Sequence, residues 1–117
     1  EIQKEFTSLL KKNRLSVHSV GSIASIDLKK DEEGLLEFAD DNGLPIRFFP
    51  GDALNAVADE LGIAGSKRVR AATGAVAVSE PAAVLAARQT SERVDIIIPK
   101  IKRGNVTLAI ARAKFTL

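Results

Sequence analysis

Apolar positions near the start of the chain recur at the spacing of a helix. Phe6, Leu9 and Leu10 share one face and lysines occupy the other, so the pattern predicts an amphipathic helix that ends near Asn13. Residues 17–26 are rich in Val, Ile and small side chains, which is typical of a strand buried on both faces. The chain is therefore expected to open with a helix and then a strand.

A second helix and a second strand are predicted directly afterwards. Asp31 is expected to cap a helix whose buried stripe includes Leu35 and Phe38 and whose end is marked by Gly43. A proline then precedes a short apolar strand, Ile46–Phe49. Helices and strands thus alternate through the first half of the chain.

Two further helices are indicated by capping signals. Asp52 is the expected cap of a helix over residues 53–61, which Gly62 closes. Ser79 is the expected cap of another helix, in which Pro81 occupies the first turn, where its missing N–H is harmless. Both helices follow a strand or a loop of small residues, as in an alternating fold.

The remaining elements complete the predicted fold. Residues 67–73 are expected to form a short helix, and residues 94–98 and 106–111 two strands joined by a turn at 102–105. Alternating helices and strands predict the α/β class, as a three-layer α/β/α domain with a mixed sheet ending in an antiparallel hairpin. Without repeats or linkers, residues 1–117 are expected to form one domain.

Composition excludes several kinds of chemistry. The chain has no cysteine, which excludes disulfides, thiolate nucleophiles and Cys-ligated metal centres, and its one histidine, His18, cannot form a His/His site. His18 lies where the predicted first helix passes into the predicted strand, and it is not expected to be catalytic. No apolar run reaches the roughly 20 residues that span a bilayer, and no secretory signal is recognisable, so no membrane partner and a cytoplasmic location are expected.

Charge is unevenly distributed along the chain. Residues 1–64 carry 7 basic and 12 acidic side chains, whereas residues 65–117 carry 10 basic and 3 acidic ones, within a net charge of +2. A basic half of this kind suits an anionic ligand, either nucleic acid or a small polycarboxylate or phosphate. A merely solvated basic face is the alternative.

The first candidate site is the turn between the first strand and the second helix. Open α/β sheets bind ligands at the carboxyl ends of their strands, which is where this turn is predicted. Asp27 and Asp31 are candidate proton-transfer residues, and Lys29 and Lys30 are candidate partners for carboxylates. The alternative is that Asp31 only caps the helix and the lysines are solvated.

The second candidate site is the predicted helix start at Ser79 and Glu80. The first backbone N–H groups of a helix lack intrahelical partners and, with the helix dipole, favour an anion. The preceding residues 73–78 are small, but neither a P-loop nor a dinucleotide-binding glycine spacing is present. Ordinary capping is the alternative.

The third candidate is a basic hairpin carrying Lys100, Lys102 and Arg103, together with the basic residues Lys67, Arg68 and Arg70 that precede the Gly74 loop. Arg matches carboxylates through two parallel hydrogen bonds, while Lys acts as a point charge. Nucleic acid is the competing ligand, but the chain has no Tyr or Trp and its five Phe residues lie mostly in apolar stripes. A base-stacking surface is therefore not expected, and a small anionic ligand is favoured over nucleic acid.

Four stretches taken together resemble a known family, the C-terminal domain of the cobalamin biosynthesis protein CbiG, which is related to the stand-alone protein CobE. The similarity covers nearly the whole chain in order and spacing. The stretches are IASIDLKKDEEGLL (23–36), GLPIRFF (43–49), VAVSEPAAVL (76–85) and PKIKRGNVTLAIA (99–111).

The resemblance implies a role in building the corrin ring. The family hydrolyses the ring lactone of cobalt-precorrin-5A, releases acetaldehyde and yields cobalt-precorrin-5B. The implied partner is an anionic tetrapyrrole or corrinoid, with other cobalamin-pathway enzymes as further partners. No cofactor or protein-bound metal is implied, because cobalt arrives within the substrate. A non-catalytic corrinoid-binding module of the CobE type is the alternative.

The chain departs from the family pattern at its start. Domains of the family open with a strand that runs into a Gly-Cys-Arg-rich loop, whereas this chain begins with the helix that follows. The family's N-terminal strand is therefore expected to be missing from the chain. Without it, the expected sheet lacks one member.

Overall fold

The computed structural model describes residues 2–63, 78–91, 93–103 and 106–114. Helices and strands are interspersed along the chain, which confirms the predicted α/β class. No helix in the described ranges is long and apolar enough to cross a membrane. The elements are α1 (Ile2–Lys12), β1 (Ile23–Ile26), α2 (Glu33–Asp41), β2 (Ile46–Phe49), α3 (Gly51–Leu61), α4 (Ser79–Arg88), β3 (Arg93–Arg103) and β4 (Val106–Lys114).

The described strands form two pairs of opposite kinds. Strands β1 and β2 are parallel, with Ile23 opposite Ile46 and Ile26 opposite Phe49. Strands β3 and β4 form the predicted antiparallel hairpin, whose register shifts on both sides of Ile98. Both kinds of strand pairing expected from the sequence are therefore present.

Two apolar clusters lie on opposite faces of β1. Ala24 and Ile26, two residues apart, contribute to a cluster centred on the buried side chains Ile26, Leu54 and Ala82. Ile23, which points to the other face because side chains alternate along a strand, packs on a cluster of Phe6, Leu10 and Phe38. Helices α3 and α4 thus cover one face of β1, and α1 and α2 cover the other.

Three helices end in the same way, with a left-handed residue followed by an apolar one. After α1, α2 and α3 the left-handed residues are Arg14 (φ 56°), Gly43 (φ 63°) and Gly62 (φ 70°). In each case the next N–H returns to a carbonyl five residues earlier, as in Leu15 N–H to Leu10 O at 2.8 Å. The helix ends predicted at Gly43 and Gly62 are confirmed.

The strand predicted over residues 17–26 is wrong in its first half. Only Ile23–Ile26 is extended into a strand, and Val17–Ser19 forms a short 3-10 turn. The Ser16 hydroxyl oxygen accepts a hydrogen bond from the backbone N–H of His18 at 3.1 Å, which closes this turn. Serine competes for local backbone groups in this way and overrides the propensity of its apolar neighbours.

The predicted helix caps are displaced by one or two residues. Helix α2 starts at Glu33 after Glu32, not after Asp31, because a 3-10 turn at Asp27–Lys29 intervenes. Helix α3 starts at Gly51, after Pro50, which is two residues before the predicted start. Helix α4 starts at Ser79, after Val78, which is one residue before the predicted start. No side-chain cap bond forms at these three helix starts.

The hairpin strands are longer than predicted. They extend over Arg93–Arg103 and Val106–Lys114, where residues 94–98 and 106–111 were expected. Strand β3 therefore continues into the start of the predicted turn at 102–105. The helix predicted at 67–73 lies outside the described residues.

A surface ion pair joins α3 to α4. The Arg88 guanidinium donates to both carboxylate oxygens of Glu60, at 2.9 Å and 2.5 Å. These hydrogen bonds hold the pKa of the Glu60 carboxyl below its ordinary value and raise the pKa of Arg88. The two-point geometry links the C-terminal ends of the two helices at the protein surface.

Two leucines of α3 provide a matched test of the core. Leu54 is completely buried, whereas Leu61 is 39% exposed. Leu54→Ala is expected to lower the free energy of unfolding by about 2–5 kcal/mol, because it leaves a cavity beside Ile26 and Ala82. Leu61→Ala, the control, is expected to cost less than about 1 kcal/mol. Urea unfolding followed by circular dichroism measures both, and equal losses would contradict the assignment of this cluster as the core.

The ion pair predicts a pH-dependent stability difference. Because the pKa of Glu60 is lower in the folded state, its stabilisation is present above the unfolded-state pKa and is lost as pH falls through the folded-state value. Glu60→Gln should therefore lower the urea midpoint at pH 7, and the difference from the parent protein should shrink as the pH falls below the ordinary glutamate pKa of 4.5, since the carboxyl then becomes protonated in both states. Glu37→Gln on the exposed face of α2 is the control. If the effect of Glu60→Gln on the urea midpoint did not vary with pH, the Arg88–Glu60 ion pair would not be the source of the stabilisation.

Candidate functional site

The parallel pair ends at a single edge of the fold. Ile26 and Phe49 are the last residues of β1 and β2 and lie opposite each other. Asp27 and Pro50 follow them directly, so the predicted turn and the start of α3 leave the sheet side by side. Carboxyl ends of neighbouring parallel strands are the usual ligand edge of α/β folds.

Helix α4 begins at the same edge. Ala82 is buried in one cluster with Ile26, and Val78 and Phe49 pack against that cluster. Ser79 and Glu80, which lie between Val78 and Ala82, are half-buried there. The first and second predicted sites therefore lie next to each other, because Ile26, the residue before Asp27, packs against Ala82 of α4.

The start of α3 is a third component of this edge and is not among the sites predicted from the sequence. Leu54, in the first turns of α3, is buried against Ile26 and Ala82. The N-terminal ends of α3 and α4 therefore both lie near the ends of the strands, where their dipoles add positive potential. The sequence does contain a signal for a helix start at this edge, since Pro50-Gly51 directly follows an apolar strand.

The turn itself presents its charged side chains to solvent. Asp27, Lys29, Lys30 and Asp31 are all exposed. The backbone folds on itself through Lys30 N–H to Asp27 O and Glu32 N–H to Lys29 O, each 3.0 Å. Within the described part of the chain, none of these four side chains is held by a hydrogen bond or an ion pair. They are consequently free to meet a ligand, but they are not preorganised around one another.

The third predicted site is only partly described. Lys100 is exposed on β3. Lys102 and Arg103 belong to the end of the same strand, and their side chains lie outside the described set. Among described residues, no hydrogen bond or ion pair joins Lys100 to the turn or to α4. The basic residues Lys67, Arg68 and Arg70 also lie outside the described residues.

The chain thus forms an α/β domain with a candidate anion site at the edge where two parallel strands end and two helices begin. The chain belongs to the family described as cobalamin synthesis G C-terminus, whose model matches residues 1–111.

Two longer proteins are similar to the chain. It is 38% identical over 111 residues to a cobalt-precorrin-5A hydrolase of Priestia megaterium, a match that covers 95% of the chain and 28% of that protein. It is 32% identical over 101 residues to a probable cobalt-precorrin-5A hydrolase of Methanocaldococcus jannaschii, covering 83% of the chain and 31% of that protein. The chain thus spans less than a third of the length of these relatives.

A solved structure has the same fold. The crystal structure of CobE, a protein from the cobalamin (vitamin B12) biosynthetic pathway, superposes with a TM-score of 0.80 at 27% identity. The match covers 94% of this chain and 80% of CobE. The family resemblance inferred from the four sequence stretches is confirmed by these three comparisons.

Proposed function

We propose that this domain acts in the hydrolytic opening of the ring lactone of cobalt-precorrin-5A, with release of acetaldehyde, to give cobalt-precorrin-5B. The observation that carries the proposal is the match of nearly the whole chain to two proteins named for that hydrolysis. The substrate would be an anionic tetrapyrrole with several carboxylates. Its cobalt would belong to the substrate, so the domain would supply no metal ligand.

The chemistry requires little beyond water, a proton acceptor and anchors for carboxylates. Water adds to the lactone carbonyl, the acyl–oxygen bond breaks, and the ring oxygen leaves with a proton as a hydroxyl while the acyl carbon becomes a carboxylate. In a second step this hydroxyl loses its proton and becomes the carbonyl of acetaldehyde, as the carbon–carbon bond that joins its carbon to the macrocycle breaks and the electron pair passes to the macrocycle. A carboxylate side chain near the attacking water accepts its proton. Asp27 and Asp31 are the proposed groups, because both are exposed at the ligand edge with no protein partner among the described residues.

Two of the anchors proposed for the substrate carboxylates lie at the same edge. Lys29 and Lys30 project from the turn, and the first N–H groups of α4, after Ser79, have no cap bond from a side chain. Glu80 is proposed as a polar contact to the substrate and not as a ligand for its carboxylates, because its own side chain is acidic. The basic residues of β3 (Lys100, Lys102 and Arg103) are proposed as further anchors for a substrate larger than the turn itself.

A second candidate is a corrinoid-binding module that performs no chemistry by itself. It is favoured by the structural match to CobE, in which the same fold makes up most of a separate chain. It is also favoured by the exposure of Asp27 and Asp31, since carboxylates held by no described partner are not preorganised for proton transfer. In this case the rest of a longer hydrolase would supply the reactive groups, and other enzymes of the pathway would receive the bound intermediate.

Acetaldehyde release distinguishes the two candidates. The assay uses a chimera in which this chain replaces the matching C-terminal part of the Priestia megaterium hydrolase. If Asp27 or Asp31 accepts the proton, Asp27→Asn or Asp31→Asn should slow release about a hundredfold or more. Asp59→Asn, exposed near the far end of α3, is the matched control. Undiminished release by both test variants would exclude these residues from catalysis and favour the binding module.

Substrate anchoring is tested by titrating this chain with cobalt-precorrin-5A under anaerobic conditions and following absorbance. Lys29→Gln with Lys30→Gln is expected to weaken binding about two- to thirtyfold, since each exposed ion pair contributes about 0.2–1 kcal/mol. Added salt should weaken the parent complex more than the variant. Lys4→Gln with Lys12→Gln on α1 removes the same charge elsewhere as the control. Equal losses in the two double variants would refute a specific role of the turn.

A further inference from the structure

Ser25 of β1 carries a buried hydroxyl group that the described residues leave unpaired. It is 7% exposed and is the only polar residue buried in the described part of the chain. No described residue forms a hydrogen bond with its hydroxyl group. The hydroxyl oxygen is nevertheless not sealed inside the protein, because every completely buried side-chain nitrogen or oxygen in the described ranges has a partner. Ser25 therefore holds an unpaired hydroxyl, which is costly in a buried strand and which a ligand can reach.

The hydroxyl points to the layer that contains α2. Side chains alternate along a strand, so Ser25 shares a face of β1 with Ile23, which packs on the cluster that includes Phe38 of α2. Residues 27–32 join β1 to α2, so α2 starts at the edge where β1 and β2 end (the strand-end edge) and runs back along β1. Two residues forward from Ile23 the strand advances about 6.6 Å towards that edge, and four residues back from Phe38 the helix advances about 6 Å. Ser25 is therefore level with Gly34, in the first turn of α2.

The first turn of α2 leaves open space on its inward face. Gly34 precedes Phe38 by four residues and so shares the helix face that carries this buried ring. Gly34 is nevertheless exposed, and a Cβ placed on it would meet no atom within 4 Å. Alanine is more favourable than glycine inside a helix, so the helix itself gives no reason for a glycine here. The side chain missing at Gly34 leaves a recess between the first turn of α2 and Ser25.

The backbone N–H groups of this turn are also unpaired. The first hydrogen bond of α2 runs from Leu36 N–H to Glu32 O at 3.1 Å, and no side chain caps the helix. The N–H groups of residues 33–35 precede that bond and have no backbone partner among the described residues. Together with the Ser25 hydroxyl they form a set of hydrogen-bond donors around one recess.

The charges beside the recess select the kind of oxygen that these donors bind. Asp31, Glu32 and Glu33 are exposed at the start of α2 and make a fully charged carboxylate unfavourable there. An uncharged acceptor, such as the carbonyl oxygen of a lactone, avoids most of this repulsion and accepts hydrogen bonds from N–H and O–H groups. The recess is therefore suited to a different part of the substrate from the carboxylates that the lysines of the turn would anchor.

We propose that the Ser25 hydroxyl and the first turn of α2 (the α2 recess) bind the carbonyl oxygen of the substrate lactone. The proposal rests on the proposed lactone hydrolysis and adds to it the residues that hold the reacting carbonyl. Hydrogen bonds to this oxygen draw electron density away from the carbonyl carbon, to which water adds. A carbonyl in the α2 recess also lies next to the turn that carries Asp27 and Asp31, the groups proposed to accept the proton of that water.

Unfolding of the isolated chain tests whether these groups are left unpaired for a ligand. Ser25→Ala removes a hydroxyl that has no partner, so the urea midpoint should stay the same or rise. Gly34→Ala should raise the midpoint, because alanine favours the helix and its Cβ would meet no neighbour. A lower midpoint in either variant would show that the group serves the free domain, and it would overturn the proposal.

Acetaldehyde release by the Priestia megaterium chimera tests whether the recess acts on the substrate. Ser25→Ala is expected to lower kcat/KM about two- to tenfold, the contribution of one hydrogen bond. Gly34→Ala is expected to lower it about tenfold or more, because its methyl group occupies the recess and displaces the carbonyl. Ser8→Ala on the exposed face of α1 and Gly21→Ala before β1, which also has open space, are the matched controls. If both test variants matched the parent, the proposal would be overturned while the proposed function would stand.

A small lactone tests the α2 recess without the corrinoid substrate, so the result holds even if the parent chimera releases no acetaldehyde and the proposed function fails. γ-Butyrolactone and acetate are added separately to the isotopically labelled chain, and the amide signals are followed by NMR. The amide proton signals of Gly34 and Leu35 should move downfield with the lactone, less far in Ser25→Ala, and less far with acetate. Equal shifts in the parent and Ser25→Ala, or larger shifts with acetate, would overturn the proposal.

Discussion

The burial of Ile26 is the constraint on which the candidate site depends. This side chain is 1% exposed and lies in one cluster with the fully buried Leu54 and Ala82. Burying an aliphatic side chain of this size is worth about 1.5–3 kcal/mol. Because Ile26 is the last residue of β1, the contact that stabilises the core also anchors the turn that follows it.

The same contact explains why two helices begin where two strands end. Leu54 and Ala82 belong to the first turns of α3 and α4, so their burial against Ile26 draws both N-terminal ends to one edge. The Arg88–Glu60 ion pair joins the opposite ends of these helices. Apolar packing near one end and a surface ion pair at the other join α3 and α4, so that both N-terminal ends, with their dipoles, lie at the strand-end edge.

The two apolar clusters belong to different layers. One joins α3 and α4 to β1 and underlies the strand-end edge, whereas the other joins α1 and α2 to β1. Strand β1 separates them, since Ile23 and Ile26 contribute to opposite clusters. The geometry of the candidate site therefore depends on the cluster of Ile26, Leu54 and Ala82.

Sequence by itself determined the class of fold, the family and most of the elements. Helical spacing of Phe6, Leu9 and Leu10 located α1, and the strand Ile46–Phe49 was located without error, because periodicity and turn residues are local properties. Boundaries failed where a local hydrogen bond or turn competed with propensity, as at Ser16 and at Asp27–Lys29. The tertiary structure alone decided that the turn after Ile26 lies beside the start of α4 and that α3 begins at the same edge. Each depends on contacts between residues distant in the chain, and no local pattern specifies which apolar faces will be buried against one another.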